Sequence, residues 1–162
     1  MPDPTPPTDP ASLAAEFGLP PIDQVGFVVR DLDKALQTFG PVFGPFVKMD
    51  SSLEGTNFRG RESDVTLRMA FGKSGPVEIE LLQWVSGDSP HKEALDAGRE
   101  GVHHVRFKVD SDIATYRRRF EEKGFSVVWS HSFPGADIEW AYLEGPAEQG
   151  GMMVELYQNP NA

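Results

Sequence analysis

The chain has 162 residues, 39% of them hydrophobic and 25% charged, which is the size and composition of one globular domain with a full core. Its net charge of −10, with a pI near 4.8, excludes a nucleic-acid surface, which needs clustered Lys and Arg. The absence of cysteine excludes disulfides, thiolate metal sites and cysteine nucleophiles. No apolar run reaches the roughly 18–20 residues of a membrane span, and no signal-peptide pattern opens the chain, so no membrane partner and a cytoplasmic location are expected.

Seven of the 14 prolines fall in residues 1–21, which read as an extended or disordered arm with a short helical turn around 11–17. The arm is either a passive tail or a segment that packs on a partner subunit. Residues 22–85 form a first module. Residues 24–29 read as a strand, Asp31 caps a helix carrying Leu32, Ala35, Leu36 and Phe39, and residues 40–45 form a turn. Strands follow near 46–49, 65–71 and 77–85. Residues 86–101 are a polar connector with a short helix near 92–97. A second module, 102–162, opens with a strand at 102–109. Ser111 caps a helix carrying Ile113, Tyr116 and Phe120, Gly124 stops it, and strands follow at 125–129, 138–143 and 152–158.

The two modules share more than element order. Gln24-Val25-Gly26-Phe27-Val28-Val29 matches His104-Val105-Arg106-Phe107-Lys108-Val109 as [QH]-V-x-F-x-V, and Ile79-Glu80-Leu81-Leu82-Gln83 matches Val154-Glu155-Leu156-Tyr157-Gln158 as [IV]-E-L-x-Q. Strand side chains alternate between faces, so Val25, Phe27 and Val29 pack on a helix while Gln24, Gly26 and Val28 point the other way. His104, Arg106 and Lys108 point the same way in the second module. A pseudo-two-fold pairing of the modules brings Gln24, Glu80, His104 and Glu155 to one point. An amide oxygen, an imidazole and two carboxylates suit a divalent cation: zinc, nickel, cobalt, manganese or ferrous iron.

These residues carry a resemblance to the vicinal oxygen chelate superfamily, the glyoxalase-like fold, and within it to methylmalonyl-CoA epimerase-like members. The matching stretches are Val25–Ala35, Ile79–Gln83 with Gly87-Asp88-Ser89-Pro90, Gly101–Asp110 and Gly151–Leu156, within residues 22–158. The resemblance implies an α+β fold of tandem βαβββ modules in a cupped mixed sheet, and a homodimer. It places metal ligands at Gln24, Glu80, His104 and Glu155, with His103 facing away. Gln24 stands where the epimerases usually carry histidine, and the Gln, Glu, His, Glu set is similar to that of eukaryotic-type glyoxalase I.

The implied activity is a metal-dependent isomerase or epimerase that moves a proton next to a carbonyl through a metal-stabilised enolate. Glu155 is the first choice for the base, Glu80 its symmetric alternative, and Glu62 a second acid/base. Arg106 and Lys108 are expected to bind an anionic group of a small carbonyl substrate. Trp84, Trp129 and Trp140, with Phe43 and Phe46, are expected to line an apolar cleft for its body. A glyoxalase-type lyase and a metal-free, resistance-type binding protein are the alternatives.

Overall fold

The structure is a computed structural model and describes residue 15, residues 17–110 and residues 112–162. β1 (Gln24–Val28), α1 (Leu32–Phe43), β2 (Val47–Phe58), β3 (Arg61–Ser74) and β4 (Val77–Ser86) come first, followed by α2 (Pro90–Asp96). The same order returns as β5 (Gly101–Val109), α3 (Ile113–Glu121), β6 (Ser126–Phe133), β7 (Ile138–Glu144) and β8 (Met153–Gln158). This is an α+β fold with one mixed sheet, closed into a barrel in the order β1-β4-β3-β2-β6-β7-β8-β5.

The two halves join at two seams of unequal quality. β1 and β5 pair antiparallel along their lengths, from Gln24↔Arg106 to Val28↔Gly101. β2 and β6 pair only at Asn57↔Ser130 and Phe58↔Trp129, so the strands diverge beyond and leave one end of the barrel open. Outside the barrel, α1 covers Phe27, Ala70 and Leu81, and α3 covers Ala141, Leu143 and Leu156. The other end is plugged by α2, whose Ala94 and Leu95 pack on Val28 and Trp84.

Several boundaries differ from the sequence reading. The turn expected at 40–45 begins only after Phe43. Pro41 removes one helical hydrogen bond, but it falls in the last turn of α1, where Phe39 and Phe43 pack 5.4 and 6.5 Å from Phe27 and hold the helix end. β2 spans 12 residues rather than four, because residues 50–58 are held by cross-strand pairing with β3 rather than by hydrophobic alternation. Arg59 and Gly60, both at positive φ (49° and 80°), make the tight connection between the two strands.

Ser111 lies outside the described residues. The side chain that caps α3 is Asp112, which accepts from the Thr115 N–H. Residues 1–14 and 16 of the arm also lie outside them, but its end packs on the second half of this chain. The Phe17 ring sits 4.9 Å edge-on to Phe120, and its carbonyl accepts from Arg119 Nη1 at 2.6 Å. Among the described residues, no helix is long and apolar enough to cross a membrane.

Candidate functional site

β1 runs between β4 and β5, and this placement builds the site. Gly26 lies opposite Glu80 on one side and His104 on the other, while on the far side of β5 Arg106 lies opposite Glu155. The pleat turns Gln24, Glu80, His104 and Glu155 into the barrel, where they are 1%, 6%, 1% and 7% exposed. His104 Nε2 is the point on which they converge. Gln24 Oε1 lies at 3.2 Å, Glu80 Oε2 at 3.3 Å, Glu155 Oε2 at 3.3 Å and the Tyr142 hydroxyl at 3.5 Å. Gly26 makes this possible, since a Cβ there would fall 2.0 Å from His104 Cε1.

One ring N–H cannot serve three oxygen acceptors, and buried polar atoms are normally satisfied. Glu80 Oε2 is buried without a hydrogen bond. A divalent cation accepts all of these donors at once, and two carboxylates balance its charge, so the donor set fits such an ion. Neighbouring groups orient the donors. Gln24 Nε2 donates to Glu78 at 2.8 Å, which aims the amide oxygen at His104. His104 Nδ1 lies 3.1 Å from His103 Nδ1, and the Pro90 backbone carbonyl faces the His103 ring. His103 therefore does not face away as expected. His91, fully buried with neither ring nitrogen hydrogen-bonded, packs 4.6 Å from the His103 ring.

Burial opposes a charge on His104, but the carboxylates of Glu155 and Glu80 outweigh it and hold its pKa up to about 9. Burial also raises Glu80 above the usual carboxylate range. Burial, and then the neighbouring His104, pull His103 down to about 3, and burial lowers His91 well below its usual value. The Tyr142 hydroxyl is pushed up by burial and by both carboxylates.

A cavity of about 390 Å³ opens above Glu80 and Glu155 at the unplugged end of the barrel. Trp129 and Trp140 line it, as does Arg106. Arg106 is already engaged: its guanidinium donates to both Asp23 carboxylate oxygens at 3.1 and 2.7 Å and to Glu78 at 3.4 Å, and it stacks 5.2 Å from the Tyr157 ring. Lys108 shares the strand face of His104 but lies past the barrel rim, where it donates to the Ala162 carbonyl. Trp84 points toward the plugged end and donates to the Gly87 carbonyl at 2.7 Å. Phe43 and Phe46 belong to the α1 core outside the barrel. Glu62 is exposed beside the β2–β3 turn, paired with Asn57, away from the cavity, because the lengthened hairpin carries it outward.

Tyr142 is a cavity residue in reach of His104 that sequence reasoning missed. Its signal was positional: β7 pairs with β8, and Tyr142 lies directly opposite Glu155.

A protein-family model described as the Glyoxalase/Bleomycin resistance protein/Dioxygenase superfamily matches residues 23–142. The chain belongs to that superfamily. A curated relative from this breadth of proteins, the uncharacterized protein YqjC of Bacillus subtilis (strain 168), is 22% identical over 83% of this chain and 89% of its own length. Among solved structures, methylmalonyl-CoA epimerase from Mycobacterium tuberculosis is similar at a TM-score of 0.57, with 20% identity over 85% of this chain and 87% of that one. A substituted Streptomyces coelicolor methylmalonyl-CoA epimerase, in complex with 2-nitronate-propionyl-CoA, is similar at a TM-score of 0.60, with 21% identity over 89% and 97%. At these identities the likeness shows a shared fold.

Proposed function

We propose that the chain is a metal-dependent isomerase or epimerase that moves a proton on the carbon beside a carbonyl. The observation that carries this reading is the convergence of three side-chain oxygens on His104 Nε2, with the buried Glu80 Oε2 making no hydrogen bond beyond its 3.3 Å contact with that nitrogen. Gln24, Glu80, His104 and Glu155 would hold zinc, nickel, cobalt or manganese. Such an ion supplies Lewis-acid stabilisation of the oxyanion that develops when the neighbouring proton leaves.

The proton itself falls to the protein. Among the described residues that line the cavity, Glu80 and Glu155 are the only carboxylates, and the β2–β3 wall opposite them presents Ser51, Leu53, Leu67, Met69 and Phe71. Glu155 and Glu80 come from different halves of the barrel and flank His104, so one removes a proton and the other returns it. Tyr142 stands beside Glu155 as a neutral donor. Apolar walls exclude water from the acid–base pair.

A glyoxalase-type lyase uses the same groups. A metal-free binding protein fits the aromatic cavity but leaves the unbonded Glu80 oxygen unused. Before Asn57 the β6-side edge of β2 is open, with Val47 and Met49 exposed, which supports the homodimer that belongs to this reading; a cytoplasmic location belongs to it as well.

Deuterium exchange tests the proposal. Carbonyl compounds incubated with ion-loaded protein in D2O are expected to take up deuterium beside the carbonyl. Glu155→Gln is expected to slow uptake by about 100-fold or more, while Glu62→Gln leaves it unchanged. Exchange that survives Glu155→Gln in full would overturn the assignment.

A further inference from the structure

The charges around the cavity carry a statement about substrate that the fold does not. Four carboxylates, Asp23, Glu78, Glu80 and Glu155, surround its polar end, against one fixed cation, Arg106. A divalent ion held among them still leaves one excess negative charge. Arg106 is the only Lys or Arg among the described residues that line the cavity, and its side chain is only 16% exposed, its guanidinium matched by Asp23 and Glu78. No unmatched cation therefore awaits a carboxylate or phosphate, and burying an anion without a partner is strongly unfavourable.

The approach is no more welcoming. A groove of about 610 Å³ follows the open β2–β6 seam and shares Leu53 and Phe133 with the cavity. Among the described residues it is lined by Glu54 and Glu139 and by no Lys or Arg, and Glu139 is held by Arg117 at 3.2 Å. Beyond the two glutamates, Arg106 and Ser51 the cavity wall is apolar and aromatic, with Leu67, Met69, Phe71, Trp129, Trp140 and Tyr157 lining it. A phenyl-sized body gains by burying its surface there, and the rings offer edge and face contacts.

We propose that the substrate is an uncharged carbonyl compound with an aromatic or similarly bulky apolar body, its oxygens toward Glu80 and Glu155, and that anionic acids and nucleotide thioesters are refused. This rests on the reading of the site as one for carbonyl compounds, but the recognition itself is made by the cavity walls and their charges. It departs from the expectation of an anionic substrate held by Arg106 and Lys108, since the first is already paired and the second donates to the Ala162 carbonyl.

Two probes of nearly equal shape separate charge from size. 1-Phenylpropane-1,2-dione and benzoylformate share a benzoyl group and differ only in an acetyl group against a carboxylate. Their binding is measured by calorimetry on the ion-free protein and again after loading with zinc, with acetyl-CoA as the anionic thioester. The dione is expected to bind at least tenfold more tightly than benzoylformate to the ion-free protein, and acetyl-CoA is expected not to bind in either form. Ile138→Lys adds a cation at a lining position. It is expected to tighten benzoylformate about tenfold and leave the dione within threefold.

Tighter binding of benzoylformate than of the dione, binding of acetyl-CoA, or no binding of the dione at millimolar concentration would each overturn the proposal. Failure of the metal reading looks different. Zinc would then neither bind nor alter the dione affinity, while the preference for the uncharged probe remained.

Discussion

In the first half of the barrel Gly26 stands opposite Glu80, and in the second half the matching position, opposite Glu155, is Arg106. The repeat delivers four ligand-type side chains to matching places, yet these neighbours could hardly differ more. Gly26 vacates the volume that the His104 ring occupies. Arg106 fills its own volume and ties the second half back to Asp23 and Glu78 of the first. Gln24 and His104 diverge in the same way: Gln24 is steered by a carboxylate, His104 by a second imidazole. Pairing symmetry assembles the donors, while departures from symmetry decide what fits among them.

Gly26→Ala removes the largest difference between the two halves. The new methyl group must displace the His104 ring or the strand, so zinc affinity is expected to fall by at least 100-fold. Overpacking is expected to cost about 1–3 kcal/mol, read by thermal denaturation of the ion-free protein. Full affinity in this variant would show that His104 need not sit against β1.

His103→Leu tests the second difference. Removing the group that meets His104 Nδ1 is expected to weaken zinc binding about 10–100-fold, as for other outer partners of metal-binding histidines. His103→Gln keeps an acceptor and is expected to retain more of the affinity. Equal losses in both variants, with parallel losses in melting temperature, would reduce His103 to a packing residue.

The pH dependence of stability sharpens the comparison by a smaller effect. His104 binds its proton more tightly folded, at about 9, than the usual 6.5. Its contribution is therefore complete below pH 6.5 and is lost as pH rises through 9, at up to about 1.4 kcal/mol per pH unit. The raised Glu80 acts in the same direction. His103, lowered to about 3, has the opposite sign and withdraws stability as pH falls from 6.5 toward 3. Melting temperatures of the ion-free protein are expected to drop on the alkaline side of pH 6.5, and zinc is expected to flatten that limb. A drop of equal size in the zinc-loaded protein would contradict this.

Much of the frame was legible in the chain. The paired motifs around Gln24 and His104, and around Glu80 and Glu155, fixed strand faces, because alternation with period two is a local property. What escaped was set by distant partners. The polar run Asp50–Thr56 shows no strand periodicity, and only pairing with β3 extends it, which is why Glu62 was misplaced. Trp84 shares the parity of Glu80, but α2 plugs that end of the barrel, and one-dimensional alternation cannot tell one end from the other. The arrest of Arg106 depended on Asp23 and Glu78 meeting it across a seam between halves.

Metal content of the purified protein by elemental analysis, set beside a His104→Ala, Glu155→Ala double variant, tests the central claim most directly. About one divalent ion per chain in the parent, lost in the variant, is the expected result. A parent that stays empty after incubation with zinc, nickel, cobalt and manganese, or a variant that keeps its ion, would contradict it.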